Sequence, residues 1–560
     1  MNRFLAIRQH LRQSKGIYLF VIAILLAIQL TWLLNHQFAH AAYRLGLAIL
    51  VGSIIGTLAC AIAAYPWGQA QGYARIQRLS RFLLPWTVVA ALPFVDPHFP
   101  IITLVVAGLL LIYQIDRLGV ARDVVGLACR SSNTRIWGVA AIFAAAVVVI
   151  ATRDVNLLLH PRFWAEDGAH AFVFAWHHDW ISVLLRTSHY YFFYENLASL
   201  LSERLVSLEN APLVMTICAF AIQLLPIGIV LLGQSSLFDS PLKKLLAVAV
   251  ILFVPDSSET WLNANGSQYY LASATALILC ESDLDSSVLR CWIYRLFLVI
   301  AGLSGVLSAA MAPLFMVRYL RERQREIGIQ AMVLVACIFV QAYVVLIEAG
   351  LANRTSSASM VTLGHILFSK HVVLPFYTLL AEDYSRYLVR LLLIKNFDYY
   401  NTIGLVSLIM MVVFIAFMTY RLRRSAALYT LWAFVILTLL AAFYGIGDTN
   451  NQVFILVNAG SRYFHVPNIL LVLSLMAAAC ARPMIARRVP GPAIAITIAA
   501  LVLVNGAHFF YQTPVSEPGW PIWREQVAEW RKDPNRSLEI WPPPWKFGLS
   551  PEKRAANRGN

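Results

Sequence analysis

Apolar runs of about twenty residues recur along almost the whole chain. At about 1.5 Å of rise per residue, each is long enough as a helix to cross the hydrocarbon core of a bilayer. That recurrence excludes an ordinary soluble domain. It also excludes an outer-membrane barrel, whose strands would read as short alternating segments. Composition agrees: 59% of the 560 residues are hydrophobic and 13% are charged, with a mean hydropathy of +0.67. The net charge of +15 therefore reads as Lys and Arg retained on the cytoplasmic side, not as nucleic-acid contact. Seven cysteines are scattered in or beside apolar segments with no C-x-x-C pair, the pattern of small core residues or free thiols.

Basic clusters set the expected topology. Arg3, Arg8, Arg12 and Lys15 precede the first span, Arg75, Arg78 and Arg81 follow the second, and Arg117, Arg122, Arg130 and Arg135 precede the fifth. Farther on, Arg318, Arg321, Arg323 and Arg325 form one cluster, Arg421, Arg423 and Arg424 another, and Arg482, Arg487 and Arg488 a third. The positive-inside rule places all of these in the cytoplasm, with the N-terminus inside and the C-terminus outside. The expected fold is an all-α polytopic membrane protein of about 13–15 spans. Its expected parts are a four-span N-terminal extension (1–135), a transmembrane core (136–510) with outer loops at 153–210 and 350–400, and a small extracytoplasmic module (511–560). The last carries five of the 15 tryptophans, a helix-like "PIWREQVAEWRKD" and the short strand and stiff turn of "SLEIWPPPW". "GLSGVLSAAMAP" reads as a broken helix pair, which is tolerated at membrane depth only where protein or water covers it.

Polar chemistry gathers in a few outer stretches. "PRFWAEDGAHAFVFAW" sets Glu166 and Asp167 side by side among aromatic residues, with Trp164 before them and His170 after. Neighbours on a helix point about 100° apart, so the two acids should have different partners. An Asp167-Gly168 turn with Glu166 paired to Arg162 would account for the same residues without chemistry. His189 and Tyr190 follow in an amphipathic stretch. "WLNANGSQYY" offers Asn263, Asn265, Gln268 and Tyr269, amides and rings suited to sugar hydroxyls and apolar sugar faces, or to a plain interfacial turn. Arg462, with His465, sits at the outer end of a late span and could hold a phosphate or snorkel to headgroups. Arg162, Lys370 and Arg386 are further cations of the outer loops.

"FWAEDG" in the first large outer loop of the core resembles the acid-pair motif of the GT-C superfamily of membrane glycosyltransferases. "LVIAGLSGVLSAAMAPLF" is similar to that group's broken helix, although Ser304-Gly305-Val306 stands where Lys-Gly-Pro is usual, and "SRYFHVP" resembles its late Arg-Tyr-x-x-x-P stretch. The likeness covers the layout from Ile136 to Phe510 and three short motifs. It implies an inverting transferase of the bacterial inner membrane. Such an enzyme moves a sugar from a polyprenyl-phosphate donor to a hydroxyl of a glycan, lipid or protein acceptor at the extracytoplasmic face. On that reading Asp167, then Glu166, is the general base, and Arg462, His465, Arg162 and Lys370 are candidates for the donor phosphate. Trp164, His170, His189, Tyr190, Asn263, Asn265, Gln268 and Tyr269 are candidates for sugar or acceptor. No metal site is assigned; a divalent ion is not indicated, and no nucleic-acid partner is expected. A transporter or flippase for a lipid-linked or amphiphilic solute is the rival reading, because many spans and broken helices suit it equally.

Overall fold

The chain divides into two compact units, Met1–Gly126 and Leu127–Asn560. The computed structural model describes residues 132–551, apart from 283, 285–286, 349–358, 443–453, 458, 482–490 and 513–519. Nearly all of the expected N-terminal extension therefore lies outside the described residues, as do Arg482, Arg487 and Arg488.

The described part is mostly helical. In chain order the principal helices are α1 (Ser132–Thr152), α2 (Phe193–Arg204), α3 (Ala211–Leu232), α4 (Pro241–Phe253), α5 (Ser267–Ile278), α6 (Val288–Leu303), α7 (Ala312–Glu322) and α8 (Arg325–Glu348). There follow α9 (Met360–Leu367), α10 (Thr378–Leu393), α11 (Phe397–Leu422), α12 (Ala427–Leu440), α13 (Ser461–Ala481), α14 (Gly491–Gln512) and α15 (Trp523–Lys532). Among the described residues, four helical stretches are long and apolar enough to cross a membrane: Leu208–Leu232, Arg325–Ile347, Phe397–Leu422 and Ser461–Cys480. Four shorter apolar ones accompany them, Gly138–Thr152, Met360–Val373, Ala427–Leu440 and Ile494–Ala507. This is the architecture of an all-α membrane protein.

Burial sorts the helices. The apolar window of α13 is 78% buried, whereas that of α11 is only 22% buried. On α11, Ile409, Met410, Val412, Val413 and Phe417 are exposed, a continuous apolar face that water would not tolerate and lipid would. On α13, Phe464, Val466, Ile469, Leu470 and Val472 are buried within the bundle. The residues 350–400, expected as an outer loop, are largely helical where described: α9 continues through wide turns over Phe368–Val373, and α10 follows.

The expected break after α6 is present. Gly305 has φ +98°, a left-handed value open to glycine but strained for other residues. A single turn, Val306–Ala309, follows before α7. The break docks on a small hairpin, β1 (Thr187–Ser188) and β2 (Tyr190–Tyr191), which is antiparallel with Ser188 opposite Tyr190. Gly305 N donates to the Tyr191 carbonyl at 3.0 Å, and Ser304 Oγ accepts from Tyr194 N at 3.0 Å. Buried Gln341 of α8 completes the joint: its amide donates to the carbonyls of Tyr191 and Gly302 at 2.9 and 3.1 Å, and its oxygen accepts from Tyr191 N at 3.0 Å. A polar side chain in a spanning helix thus satisfies the backbone that the break and the hairpin leave open.

The C-terminal residues form a compact module of α15 and a second hairpin, β3 (Leu538–Glu539) with β4 (Lys546–Phe547). It packs beneath the loop that carries the acid pair. Phe163, Phe172 and Trp176 form one core with Trp523, Trp530, Leu538 and Phe547. Indole N–H groups fasten the seam: Trp523 donates to the Leu208 carbonyl at 2.9 Å and Trp176 to that of Ser550 at 3.0 Å. Ala165 N donates to the Trp541 carbonyl, and Trp541 N returns a 3.0 Å bond to Phe163.

Candidate functional site

The acid pair is placed by that seam. Backbone pairing of Phe163 and Ala165 with Trp541 fixes the chain just before Glu166, and wide helical turns run from Asp167 to Phe172. Gly168 is required by contact: a Cβ there would lie 2.7 Å from Phe163 Cβ and 2.9 Å from Ile540 Cδ1. The two carboxylates diverge. Glu166 faces a cavity of about 300 Å³, whereas Asp167 is 1% exposed and points away from it.

Asp167 accepts two backbone N–H bonds, Ala264 to Oδ2 and Asn265 to Oδ1, both at 2.8 Å. It therefore pins the polar "WLNANG" turn to the acid loop. Burial, and after it the Glu195 carboxylate, push Asp167 well above the usual carboxylate range, against the pull of the two N–H groups. Glu195, in the first turn of α2, does line the cavity. Its side chain is 4% exposed and pairs with Arg186 at 3.3 Å. Burial raises it to about 7, Arg186 opposing. Glu195 Oε1 meets no donor, and the neighbouring Asp167 carboxyl is within hydrogen-bonding reach of the Glu195 side chain. One proton held between the two carboxyls satisfies both, so the pair titrates as a unit.

Across the cavity, Arg462 opens α13. Its guanidinium contacts Glu166 at 3.4 Å and Glu259 at 3.1 Å, and its side chain remains 34% exposed. Tyr190, Gln268 and Tyr269 form the polar wall between the two charge clusters, with the Gln268 amide donating to Tyr190 Oη at 3.0 Å. The rest of the lining includes an aliphatic set: Val306, Leu307, Leu437, Leu440, Ala441 and Val466. Pro467 lines the cavity too, and with no N–H it cannot bond the Tyr463 carbonyl one turn back. At the mouth, His170 meets the edge of Trp545 from the C-terminal module, with centroids 5.9 Å apart. There the cavity adjoins an open groove of about 570 Å³. His170, Arg186, Ser188 and His189 line both, and Phe174, His177 and His178 line the groove. His189 sits at the hairpin tip with φ +60°, an uncommon value for a residue with a Cβ.

Eight of the sequence-predicted residues share the cavity wall: Glu166, His170, His189, Tyr190, Asn265, Gln268, Tyr269 and Arg462. Asp167 lies behind it. Asn263 is buried and shapes the turn, donating to the Glu259 carbonyl at 2.9 Å and accepting from Gly266 N. Trp164 pairs with Trp541, and the Arg162 guanidinium lies 5.7 Å from the Trp520 ring centroid, so both belong to the module seam. His465 turns into the bundle against Tyr270. Lys370, read from sequence as a loop cation open to a phosphate, is fully buried. Its ammonium bonds the Val457 and Ala459 carbonyls and pairs with Asp256 at 3.4 Å. Its charge is spent on tying α9's continuation to the segment before α13. Arg386 is exposed beside Asp383 at 2.9 Å.

Sequence reasoning missed Glu195, Arg186, Glu259 and Trp545. Glu195 stood in plain view as an acid within "YYFFYEN", and Glu259 lies just before "WLNANG". Among the described residues, no group of three or more His, Cys, Asp or Glu side chains is arranged to hold a metal ion. No family model, curated protein or solved structure matches the chain.

Proposed function

We propose that the protein is a membrane glycosyltransferase that moves a sugar from a polyprenyl-phosphate donor to an acceptor hydroxyl, with inversion, at the extracytoplasmic face of a bacterial inner membrane. The observation that carries the reading is the mixed lining of the cavity. It combines ionised groups, amides and phenols with aliphatic side chains from apolar helices, so the space fits an amphiphile with a polar, sugar-sized head. The GT-C resemblance of "FWAEDG", the broken helix and "SRYFHVP" supports the same reading.

Roles follow from position. The donor phosphate exchanges with a carboxylate at Arg462, whose cation then balances the charge of the leaving group. An inverting base must stand opposite the leaving phosphate. Glu166 is beside Arg462, and Asp167 is walled off and engaged by two N–H groups. Glu195 pairs with Arg186, and Arg186 is shared by cavity and groove. We therefore assign the base to Glu195, with Asp167 as the positioning residue that holds its shared proton and the "WLNANG" turn. The acceptor enters by the groove. Its hydroxyl proton passes to the Glu195 carboxylate, its oxygen bonds the sugar's anomeric carbon, and the carbon–phosphate oxygen bond breaks with its electron pair leaving on polyprenyl phosphate. A base raised to about 7 is half ionised at neutral pH, near the optimum for proton transfer.

The test is transfer by the purified full chain, from a panel of radiolabelled polyprenyl-phosphate sugars into membrane extract. Label in a new product that Glu195→Gln abolishes supports the assignment. Movement of intact lipid-linked sugar between leaflets without bond exchange would replace it with the flippase reading.

A further inference from the structure

A cavity toward the other end of the bundle has no part in this chemistry. It occupies about 500 Å³. Helix α12 connects the two: Ala426, just before it, lines this cavity, and Leu440 and Ala441 line the candidate active site. Fourteen residues separate them, about 21 Å along a helix. Lys243, Arg421, Arg423 and Arg424 line the cavity, and no Asp or Glu does. Asp239 pairs with Lys243 at 2.8 Å, and the Arg423 guanidinium lies 4.2 Å from the Tyr420 ring centroid. The floor is apolar, formed by Phe238, Leu246, Leu473, Met476, Ala477 and Ala495. The last four lie on α13 and α14, and the arginines follow or end α11, so the floor continues into helices of membrane-crossing length and composition.

Helix-dipole complementation explains a cation at the end of α11. It does not explain three arginines around an apolar recess. We propose that this cavity binds an anionic phospholipid, with its phosphate at the arginine rim and an acyl chain along α13. A soluble anion would use the rim and have no use for the floor. A zwitterionic lipid would fill the floor and forgo the net positive field. The site is independent of the transferase reading and serves to seat the bundle in the leaflet that carries anionic lipid.

The test uses the full chain in neutral detergent, with lipid binding counted by native mass spectrometry and thermal unfolding followed in parallel. The probes are phosphatidylglycerol, phosphatidylcholine of the same acyl chains, and inorganic phosphate. Phosphatidylglycerol is expected to bind and raise the unfolding temperature, and the other two are not. R421Q/R423Q/R424Q is expected to weaken phosphatidylglycerol binding on the order of 100-fold, from about 1 kcal/mol per cation. Ala477→Phe, which keeps every charge and fills the floor, weakens it as well and guards against a misfolded triple variant. R323Q/R325Q leaves binding unchanged. Equal binding of phosphatidylcholine, full competition by inorganic phosphate, or equal losses in R323Q/R325Q would overturn the proposal. So would unchanged binding in both cavity variants.

Discussion

Glu195→Gln separates a base from a bystander, and it has two readouts. The substitution keeps the size of the side chain and removes its ability to take a proton. General base catalysis contributes about 10²–10⁴-fold, so transfer is expected to fall by that range with donor binding retained. The second readout is stability. The folded value near 7 lies 2.5 units above the ordinary 4.5, and at about 1.4 kcal/mol per unit this is about 3 kcal/mol. The sign follows from proton binding: between pH 4.5 and 7 the folded state holds more protons than the unfolded one. The wild type is thus most stable below about pH 4.5 as far as this group is concerned, and it loses that increment as pH rises to about 7. Glu195→Gln reduces the slope, and what remains is the part that buried Asp167 keeps by itself. Unfolding temperatures measured from pH 4.5 to 8, with transfer rates over the same range, give both results. Full activity in the variant, or a slope undiminished in it, would refute the reasoning.

Asp167→Asn is expected to reduce transfer only partially in the same assay, because the base at Glu195 is retained and only its positioning partner changes. It also leaves one of the Ala264 and Asn265 N–H groups facing an amide NH₂, a loss of about 1–3 kcal/mol seen in thermal unfolding. Arg462→Gln is expected to raise the donor KM about 10–100-fold, the value of a charge-assisted contact, with the acceptor KM unchanged in steady-state assays. Gly305→Ala is expected to destabilise by about 1–3 kcal/mol, since it forces a side chain into a left-handed φ and onto Gln268 Oε1 at 2.7 Å. Limited proteolysis should register that change first in the hairpin around His189.

Much of the scaffold was legible because a bilayer leaves so few solutions. Apolar runs such as those of α3, α8, α11 and α13 admit only helices, and the Ser304-Gly305 break announced itself by composition. The walls of the site were legible where polar residues stood out against oil, as Glu166, Asn265, Gln268 and Arg462 do. What sequence could not resolve is which way a side chain turns. Asp167 and Glu166 are adjacent, yet packing of Gly168 against Phe163 and Ile540 sends one inward and one into the cavity. Lys370 was read as an open loop cation because nothing local reveals Asp256, 114 positions away, as its partner. Glu195 gained its character from burial in the folded chain, against the pull of Arg186 and Asp167, and no spacing rule links the three.

The seam between the acid loop and the C-terminal module has a bearing on biosynthesis. Trp176 and Ser550 are 374 positions apart, so helices α1 to α14 have all been synthesised before Trp541 emerges to pair with Ala165. Until then Glu166 lacks its anchor and the mouth lacks Trp545. A product that stops before Trp541 lacks both contacts, so the wall that holds Glu166 and Trp545 is complete only once residues 523–550 have been made.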